Sequence, residues 1–286
     1  MLDSVLVWFR RDLRITDHAA LSMALQRAQR VYCIFIFDRE ILDALPSKTD
    51  RRVEFIRESL IELDGALRQR RGSLIVRHGP AVSEIPRIAK ELGVTAVFTN
   101  RDYEPQAKVR DTQVAAELDE LGIGFESLKD QALFDGPEVV TQAGKPYTVF
   151  TPYKNAWLKR LTDDDLAPHA TEIGQLVPAP CTSGIPSLAE IGFAATDLRQ
   201  IGITPGMSGA RRLVSDFGER IARYAEQRNY PAIKGVSYLS VHLRFGTVSI
   251  RELVSLALAS GAREEKEGAA TWLSELIWRD FYFMIR

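Results

Sequence analysis

The side chains best suited to chemistry in this sequence cluster on one helical stretch near its end. Six residues fall within roughly a third of a helix circumference at about 100° per residue: Trp272, Glu275, Trp278, Arg279, Tyr282 and Arg286. Aromatic rings interleaved with charges can stack on flat rings and pair with polar edges or phosphates. The alternative is a buried amphipathic helix with an ordinary i,i+4 pair between Glu275 and Arg279. Taken alone, the stretch favours that alternative.

A second candidate is the small, hydroxyl-bearing segment Gly235–Ser240, which precedes the predicted helical run Val241–Phe245. Backbone N–H groups and serine hydroxyls at the start of a helix can form an anion site. The alternative is that Ser237 or Ser240 simply caps the helix.

The elements that must position these residues begin with alternating strands and helices. Strands are predicted from the apolar runs Val5–Phe9, Val31–Phe37, Leu74–Val76, Ala96–Thr99 and Phe125–Leu128. Between them, helical spacing covers His18–Arg27, Arg52–Gln69, Ser83–Leu92 and Ala107–Leu121. Strands joined by helical crossovers predict an α/β domain with a Rossmann-like, parallel, five-stranded sheet and helices on both faces.

Ligands of such sheets sit beyond the carboxyl ends of the strands. The first strand is followed there by Arg10, Arg11, Asp12 and Arg14. The sequence has neither a GxGxxG fingerprint after this strand nor a Walker motif. Two interpretations stay open at this point: a loop that faces a ligand, or a solvated loop whose charges pair internally.

The rest of the chain changes character twice. Prolines and glycines punctuate residues 131–205, which predicts a connector with one helix, Tyr153–Leu161. Residues 206–286 are predicted to be all-helical, with runs at Gly209–Arg228, Val241–Phe245, Ile250–Ala259 and Ala269–Arg286. The expected division is therefore 1–130, 131–205 and 206–286.

Composition narrows the class of protein. A net charge of −1 excludes a globally basic nucleic-acid binder, although residues 201–286 carry 12 Lys/Arg against 9 Asp/Glu. Cys33 and Cys181 do not make a disulfide framework, and Cys33 is expected in the core. Without a signal peptide or an apolar run of about 20 residues, a cytoplasmic protein with no membrane contact is expected.

Four motifs in order along the chain resemble the photolyase/cryptochrome family. Val7–Arg14 is similar to its opening strand, and Phe150–Trp157 to the connector of the class I DNA photolyases. Tyr224–Arg228, followed by Gly235–Ser240, resembles the first flavin-contacting segments. Trp272–Tyr282 resembles a helix that contacts flavin and substrate. The resemblance runs from residue 4 to the end and is strongest to class I cyclobutane pyrimidine dimer photolyases.

The resemblance implies light-driven repair of pyrimidine dimers in DNA, in which reduced FAD passes an electron to the dimer and receives it back. It implies an FAD-binding set of Tyr224, Val236, Ser237, Tyr238, Leu239, Ser240 and Trp272. It implies that DNA is contacted by Arg228, Glu275, Trp278, Arg279 and Tyr282, with Glu275 and Trp278 as catalytic residues. An antenna chromophore of the folate or deazaflavin type would bind the α/β domain. A monomer without a metal ion is expected.

Departures from the family pattern qualify these expectations. Family members continue well beyond the length of this sequence, into the rest of the FAD pocket and a second aromatic wall. We therefore expect an N-terminal portion in which the all-helical FAD-binding domain is truncated, and which by itself binds FAD weakly or not at all and does not repair DNA. Tyr238 stands where many relatives carry glycine or arginine, and Tyr103–Ala107 departs from the folate-antenna pattern. The antenna could thus be a folate, a deazaflavin, a flavin, or absent.

Two other functions remain as alternatives. A cryptochrome-type blue-light receptor would share the fold and the flavin without repairing DNA. A stand-alone α/β nucleotide-binding module with a helical appendage would suit a protein of this length. Glu275, Trp278 and the Phe150–Trp157 motif favour the lyase, because a receptor has no need of a lesion-reading face.

Overall fold

The computed structural model describes residues 1–172, 174–180 and 184–285, so Cys181 and Arg286 lie outside the described residues. Within them, five strands form one parallel sheet in the order β3-β2-β1-β4-β5. The strands are β1 Leu2–Phe9, β2 Ala28–Asp38, β3 Leu74–Gly79, β4 Ala96–Asn100 and β5 Gly124–Leu128. The predicted α/β class and sheet are confirmed.

Both faces of the sheet are buried because side chains alternate along each strand. On β1, Val5, Val7 and Phe9 join one apolar cluster, whereas Leu6 and Trp8 join the cluster on the opposite face. The first face is covered by α1 and α3 and the second by α4 and α5. The helices are α1 Ala19–Arg27, α2 Arg39–Leu42, α3 Arg51–Gln69, α4 Ala81–Leu92 and α5 Pro105–Glu120.

Local signals explain most of these helix ends. Asp50 accepts a hydrogen bond from the backbone N–H of Arg52 at the start of α3, and Gly93 ends α4 in the left-handed conformation with φ 62°. The α4 helix starts two residues before the predicted Ser83, because Pro80 takes the N-cap position and the helix accommodates Pro86.

The connector 131–205 packs against both parts of the chain. Its helix α6 spans Phe150–Arg160 and so begins one turn earlier than predicted. Leu176 lies in the apolar cluster of the sheet and forms an isolated parallel bridge with Val31. Trp157 of α6, in contrast, lies in the cluster of the helical part. The division at residues 130 and 205 stays a prediction.

The helical part contains five further helices in the described residues. They are α7 Gly206–Gly218, α8 Tyr224–Gln227, α9 Ser240–Phe245, α10 Ile250–Ala259 and α11 Glu267–Met284. The prediction of one helix over Gly209–Arg228 is wrong, because a 3₁₀ turn at Ile221–Arg223 separates α7 from α8. At this break the carbonyl groups of Ile221 and Ala222 approach Gly268 so closely that any Cβ there would overlap them. The broken helix thus lets α11 pack against it.

Buried charges join the sheet to α10. Asp130 accepts hydrogen bonds from Arg14 at 2.6 Å and from Arg251 at 2.8 Å, and Arg251 also reaches Asp17 at 2.8 Å. Burial by itself would raise the pKa of Asp130, but Arg14 and Arg251 hold it far below its ordinary value.

No helix among the described residues combines the length and apolarity that crossing a bilayer requires.

Candidate functional site

The end of α8 and the middle of α11 bring two distant motifs together. Arg228 donates a hydrogen bond to Glu275 over 2.6 Å, and its guanidinium carbon lies 5.2 Å from the centre of the Tyr224 ring. The hydrogen bond to Glu275 raises the pKa of Arg228. Both partners keep about a third of their side chains exposed, at 31% and 37%. The predicted DNA-binding pair therefore forms one charged site at the surface.

Glu275 pairs with Arg228 and not with Arg279, so the alternative of an i,i+4 pair on α11 is wrong. Arg279 turns inward, where it donates hydrogen bonds to the backbone carbonyl groups of Gln131 and Leu243. Burial lowers the pKa of Arg279 to about 10. Its guanidinium carbon also lies 4.6 Å from the ring centre of Phe283. The side chain therefore ties α11 to the connector and does not join Glu275 in the charged site at the surface.

Trp272 is buried, as the alternative of a buried amphipathic helix predicted. Its side chain is 3% exposed and packs against Phe217, with ring centres 4.7 Å apart. Tyr224, 7% exposed, meets the same Phe217 ring edge to face at 5.7 Å. The predicted flavin residues Tyr224 and Trp272 thus share one aromatic core behind the charged pair.

Trp278 lies in a stack of aromatic rings. The Phe150 ring is nearly parallel to it at 8°, with centres 3.6 Å apart. The Tyr282 ring follows at 5.5 Å and 26°, and Tyr282 is 53% exposed. The first residue of α6 therefore covers one face of the ring that was expected to stack on a base.

The predicted anion segment lies beside α8, since Gly235 packs on the carbonyl group of Gln227 where a side chain would overlap it. Tyr238 adopts φ 59°, a strained conformation for a residue with a side chain, and it is 48% exposed. Leu239 is buried and occupies the N-cap position of α9 without a side-chain hydrogen bond. Neither Ser237 nor Ser240 caps the helix, so the N-cap alternative is wrong.

The strand ends form a separate pocket of about 150 Å³. The guanidinium carbons of Arg10 and Arg110 lie 4.6 Å and 5.0 Å from the Trp8 ring centre. Arg10 Nε and Asp38 Oδ2 are buried without hydrogen-bond partners at this pocket. The charged side chains of the loop after β1 pair within the protein, as one of the two interpretations predicted. They are not solvated, however, because Arg10, Asp12 and Arg14 are only 8%, 1% and 3% exposed.

Sequence reasoning missed two residues of these sites. Arg110 lies early on α5, the helix that follows β4. Only this position near the carboxyl end of a strand could have suggested that its side chain reaches the pocket. Asp280, next to Arg279, accepts hydrogen bonds from three N–H groups in the core. A carboxylate among apolar neighbours on the predicted helix was the sequence feature that could have indicated this buried role. Among the described residues, no group of three His, Cys, Asp or Glu is placed to hold a metal ion.

Comparison with known proteins settles the family. The DNA photolyase family model matches residues 5–173, more than half of the chain. The chain belongs to the DNA photolyase family. An uncharacterised 31.6 kDa protein of Synechococcus is 36% identical, with 96% of this chain and 98% of that protein aligned. A Synechococcus deoxyribodipyrimidine photo-lyase is 33% identical, with 99% of this chain and 60% of that protein aligned. The chain thus spans about three fifths of the curated photo-lyase.

Solved photolyase structures share the fold over the whole chain. A class III photolyase from Agrobacterium tumefaciens has a TM-score of 0.84 at 25% identity, covering 100% of this chain and 59% of its own. An archaeal photolyase from Sulfolobus tokodaii, whose structure contains two FAD molecules, has a TM-score of 0.75 at 27% identity, with 99% and 59% covered. A Synechocystis cryptochrome has the same fold, with a TM-score of 0.82 at 22% identity and 100% and 62% covered.

Proposed function

We propose that this chain provides the lesion-binding surface and part of the FAD site for light-driven repair of cyclobutane pyrimidine dimers in DNA, with reduced FAD as the electron donor. The observation that carries the proposal is the Arg228–Glu275 pair beside Tyr224, which joins two motifs 47 positions apart. The deoxyribodipyrimidine photo-lyase of Synechococcus, which aligns with nearly all of this chain, supports the same reaction.

FAD would be held by Tyr224, Trp272 and the segment Val236–Ser240. The segment fits a phosphate-bearing ligand in part, because Ser240, the first residue of α9, is exposed and carries a hydroxyl group that can donate a hydrogen bond. Trp272 lies behind Phe217, so it would shape the wall of the flavin site from within the core. When bound, reduced FAD supplies the electron that opens the dimer, and the residues of this chain position the reactants.

The lesion would meet the surface formed by Arg228, Glu275, Trp278 and Tyr282. The Glu275 carboxylate can accept hydrogen bonds from the N–H edges of the two pyrimidines. Arg228 already holds that carboxylate and can offer its remaining N–H groups to phosphate. Arg279 would reach DNA only by leaving the carbonyl groups of Gln131 and Leu243, so we assign it to positioning α11.

We further propose the pocket at the strand ends as the place of an antenna chromophore. The guanidinium groups of Arg10 and Arg110, which lie over the buried Trp8 ring, can stack on a planar heteroaromatic molecule. Arg10 Nε and Asp38 Oδ2 would supply one donor and one acceptor for its polar edge. Both a flavin-type and a folate-type ring system match this chemistry.

Binding to damaged DNA tests the proposed face directly. Duplexes with and without one cyclobutane thymine dimer are titrated against the chain by fluorescence anisotropy. We expect the chain to bind the damaged duplex more tightly than the undamaged one. In Glu275→Gln, the ratio of the two affinities should fall roughly tenfold, since hydrogen bonds to a charged group contribute about 1.5–3 kcal/mol. Glu219→Gln, an exposed glutamate on the turn after α7, is the matched control. Equal affinity for both duplexes in the unmodified chain would refute the proposal.

Illumination with reduced FAD distinguishes the lyase from a light receptor. Dimer loss is followed by chromatography of the digested DNA under blue or near-UV light. The shared fold of the Synechocystis cryptochrome and the Phe150 ring over Trp278 favour the receptor as the second candidate. Dimer loss would establish the lyase, whereas a light-dependent change in the flavin spectrum without any preference for dimer-containing DNA would support the receptor.

A further inference from the structure

A residue of the connector already covers one face of Trp278, the ring on which the lesion would stack. The Phe150 ring is centred 3.6 Å from the Trp278 ring and inclined to it by only 8°, so the two rings are at van der Waals contact. The Tyr282 ring flanks Trp278 at 5.5 Å and 26°. No pyrimidine fits between Phe150 and Trp278, because the two rings already touch.

The covered ring lies on the same side of α11 as the charged pair. Glu275 precedes Trp278 by three residues, so both side chains project from one side of the helix, about one turn apart. Arg228 donates its hydrogen bond to Glu275 there, and Trp278 is partly exposed. A pyrimidine whose edge meets Glu275 is therefore within reach of the ring that Phe150 covers.

Phe150 lies where the backbone of α6 is held most weakly. It is the first residue of the helix, and the N-cap residue Val149 is 59% exposed and makes no side-chain hydrogen bond to the helix. The hydrogen bond from the Tyr153 N–H to the Val149 carbonyl group is long, at 3.4 Å. Helix ends without a cap fray readily. Trp157, further along α6, is 1% exposed and anchors the rest of the helix while Phe150 moves.

The strength of the stack sets which rings can replace Phe150. Two stacked aromatic side chains shift an equilibrium by about two- to tenfold beyond the effect of their buried area. A base of an intact duplex must also break its own pairing and stacking before it reaches Trp278, and this cost is lowest for a damaged base. The extruded dimer is therefore the ring system that displaces Phe150 most easily.

We propose that Phe150 is a displaceable placeholder, which covers Trp278 in the free protein and yields that face to the extruded dimer. Because Phe150 competes with the incoming rings, it weakens the binding of damaged DNA and keeps other bases off Trp278. The inference rests on the lesion face proposed above, and it assigns to the connector a residue that controls access to that face.

The test compares the affinities of parent and variant chains for duplexes with and without one thymine dimer, by fluorescence anisotropy. In Phe150→Ala, the affinity for the damaged duplex should rise about two- to tenfold, because the competing stack is gone. The affinity for the undamaged duplex should stay the same. Phe150→Tyr keeps a ring and should behave as the parent. Leu158→Ala is the matched control, since Leu158 is an apolar residue of α6 that is 38% exposed.

Acrylamide quenching of tryptophan fluorescence shows whether the variant stays folded. Trp8, Trp157 and Trp272 are 1%, 1% and 3% exposed, whereas Trp278 is partly exposed. In Phe150→Ala, quenching of Trp278 should increase while the other three rings stay protected. If that protection is lost, Phe150→Leu carries the same test, because it fills the space with an apolar side chain but offers no ring.

The outcomes separate this inference from the lesion face itself. Weaker binding of the damaged duplex by Phe150→Ala would make Phe150 a wall of the lesion site, and unchanged binding would make the stack merely structural. Either result overturns the placeholder while the parent's preference for the dimer upholds the lesion face. A preference that appears only in Phe150→Ala supports the placeholder in its strongest form. No preference in any variant overturns both proposals.

Discussion

Asp280 holds the connector against α11, and its replacement should destabilise the protein strongly. One carboxylate oxygen accepts hydrogen bonds from the backbone N–H groups of Leu133 and Phe134, at 3.0 Å and 3.3 Å, and from the Trp157 indole at 3.1 Å. Asp280 is 1% exposed, and its second oxygen is buried without a partner. Asp280→Ala would leave three buried N–H groups unpaired.

The expected loss follows from the number of orphaned donors. Each buried N–H group left without an acceptor costs about 1–3 kcal/mol. Water entry and local relaxation recover part of that sum, and removal of a buried charge offsets another part. We therefore expect the free energy of unfolding to fall by roughly 3–5 kcal/mol in Asp280→Ala.

The pH dependence gives an independent check on the same residue. Burial raises the pKa of Asp280 from 3.8 to about 6, despite the neighbouring Arg279 and the N–H donors. Between about pH 4 and pH 6, the Asp280 carboxyl therefore stays protonated in the folded state but has lost its proton in the unfolded state. This contribution to stability is fully present below about pH 4 and is lost as the pH rises through about 6, by about 3 kcal/mol in total. Asp280→Asn should lack this decline.

Urea denaturation monitored by tryptophan fluorescence measures both effects, at pH values on either side of that window. Asp163→Ala is the control, because Asp163 is a surface carboxylate with 86% of its side chain exposed. The reasoning is refuted if Asp280→Ala changes the free energy of unfolding by less than about 1 kcal/mol, the range of an ordinary surface substitution. A decline with pH that persists unchanged in Asp280→Asn would refute the assignment of the raised pKa.

Three further predictions address the site and its support. Arg228→Ala should weaken binding to DNA and reduce its salt dependence, yet lower the free energy of unfolding by less than about 1 kcal/mol, because its pair with Glu275 is partly solvated; equal salt slopes in variant and parent would contradict this. Gly246→Ala should destabilise the fold by more than about 2 kcal/mol, since φ is 63° and a Cβ would overlap the backbone of the loop after β1. Gly144→Ala, with φ 70° and open space around it, should cost only about 1 kcal/mol; thermal unfolding of the two glycine variants measures the difference. Asp130→Ala should lower the free energy of unfolding by about 3–5 kcal/mol, because two buried arginines lose their shared partner; a midpoint within a few degrees of the parent would count against that role.

The sequence alone determined the class of fold and the locations of the motifs. Apolar runs separated by helical spacing predict a parallel sheet, because each helix returns the chain to the end of the sheet where the previous strand began. Gly93 and Gly122 marked helix ends, and both adopt positive φ values, of 62° and 70°. These features are local, so the pattern of side chains carries them whatever the rest of the chain does.

Only the tertiary structure decided which partner each side chain of α11 takes. Helical spacing gives the angle of Glu275, Trp272 and Arg279 around the helix axis, but it does not say which element packs at that angle. The nearby α8 supplies Arg228 to Glu275, and the connector supplies a carbonyl group to Arg279. Phe217 of α7 packs against Trp272, which the spacing had placed on the same side of the helix as Glu275. Long side chains choose their rotamers according to these neighbours, and contacts between residues far apart in the chain arise only when the helices pack.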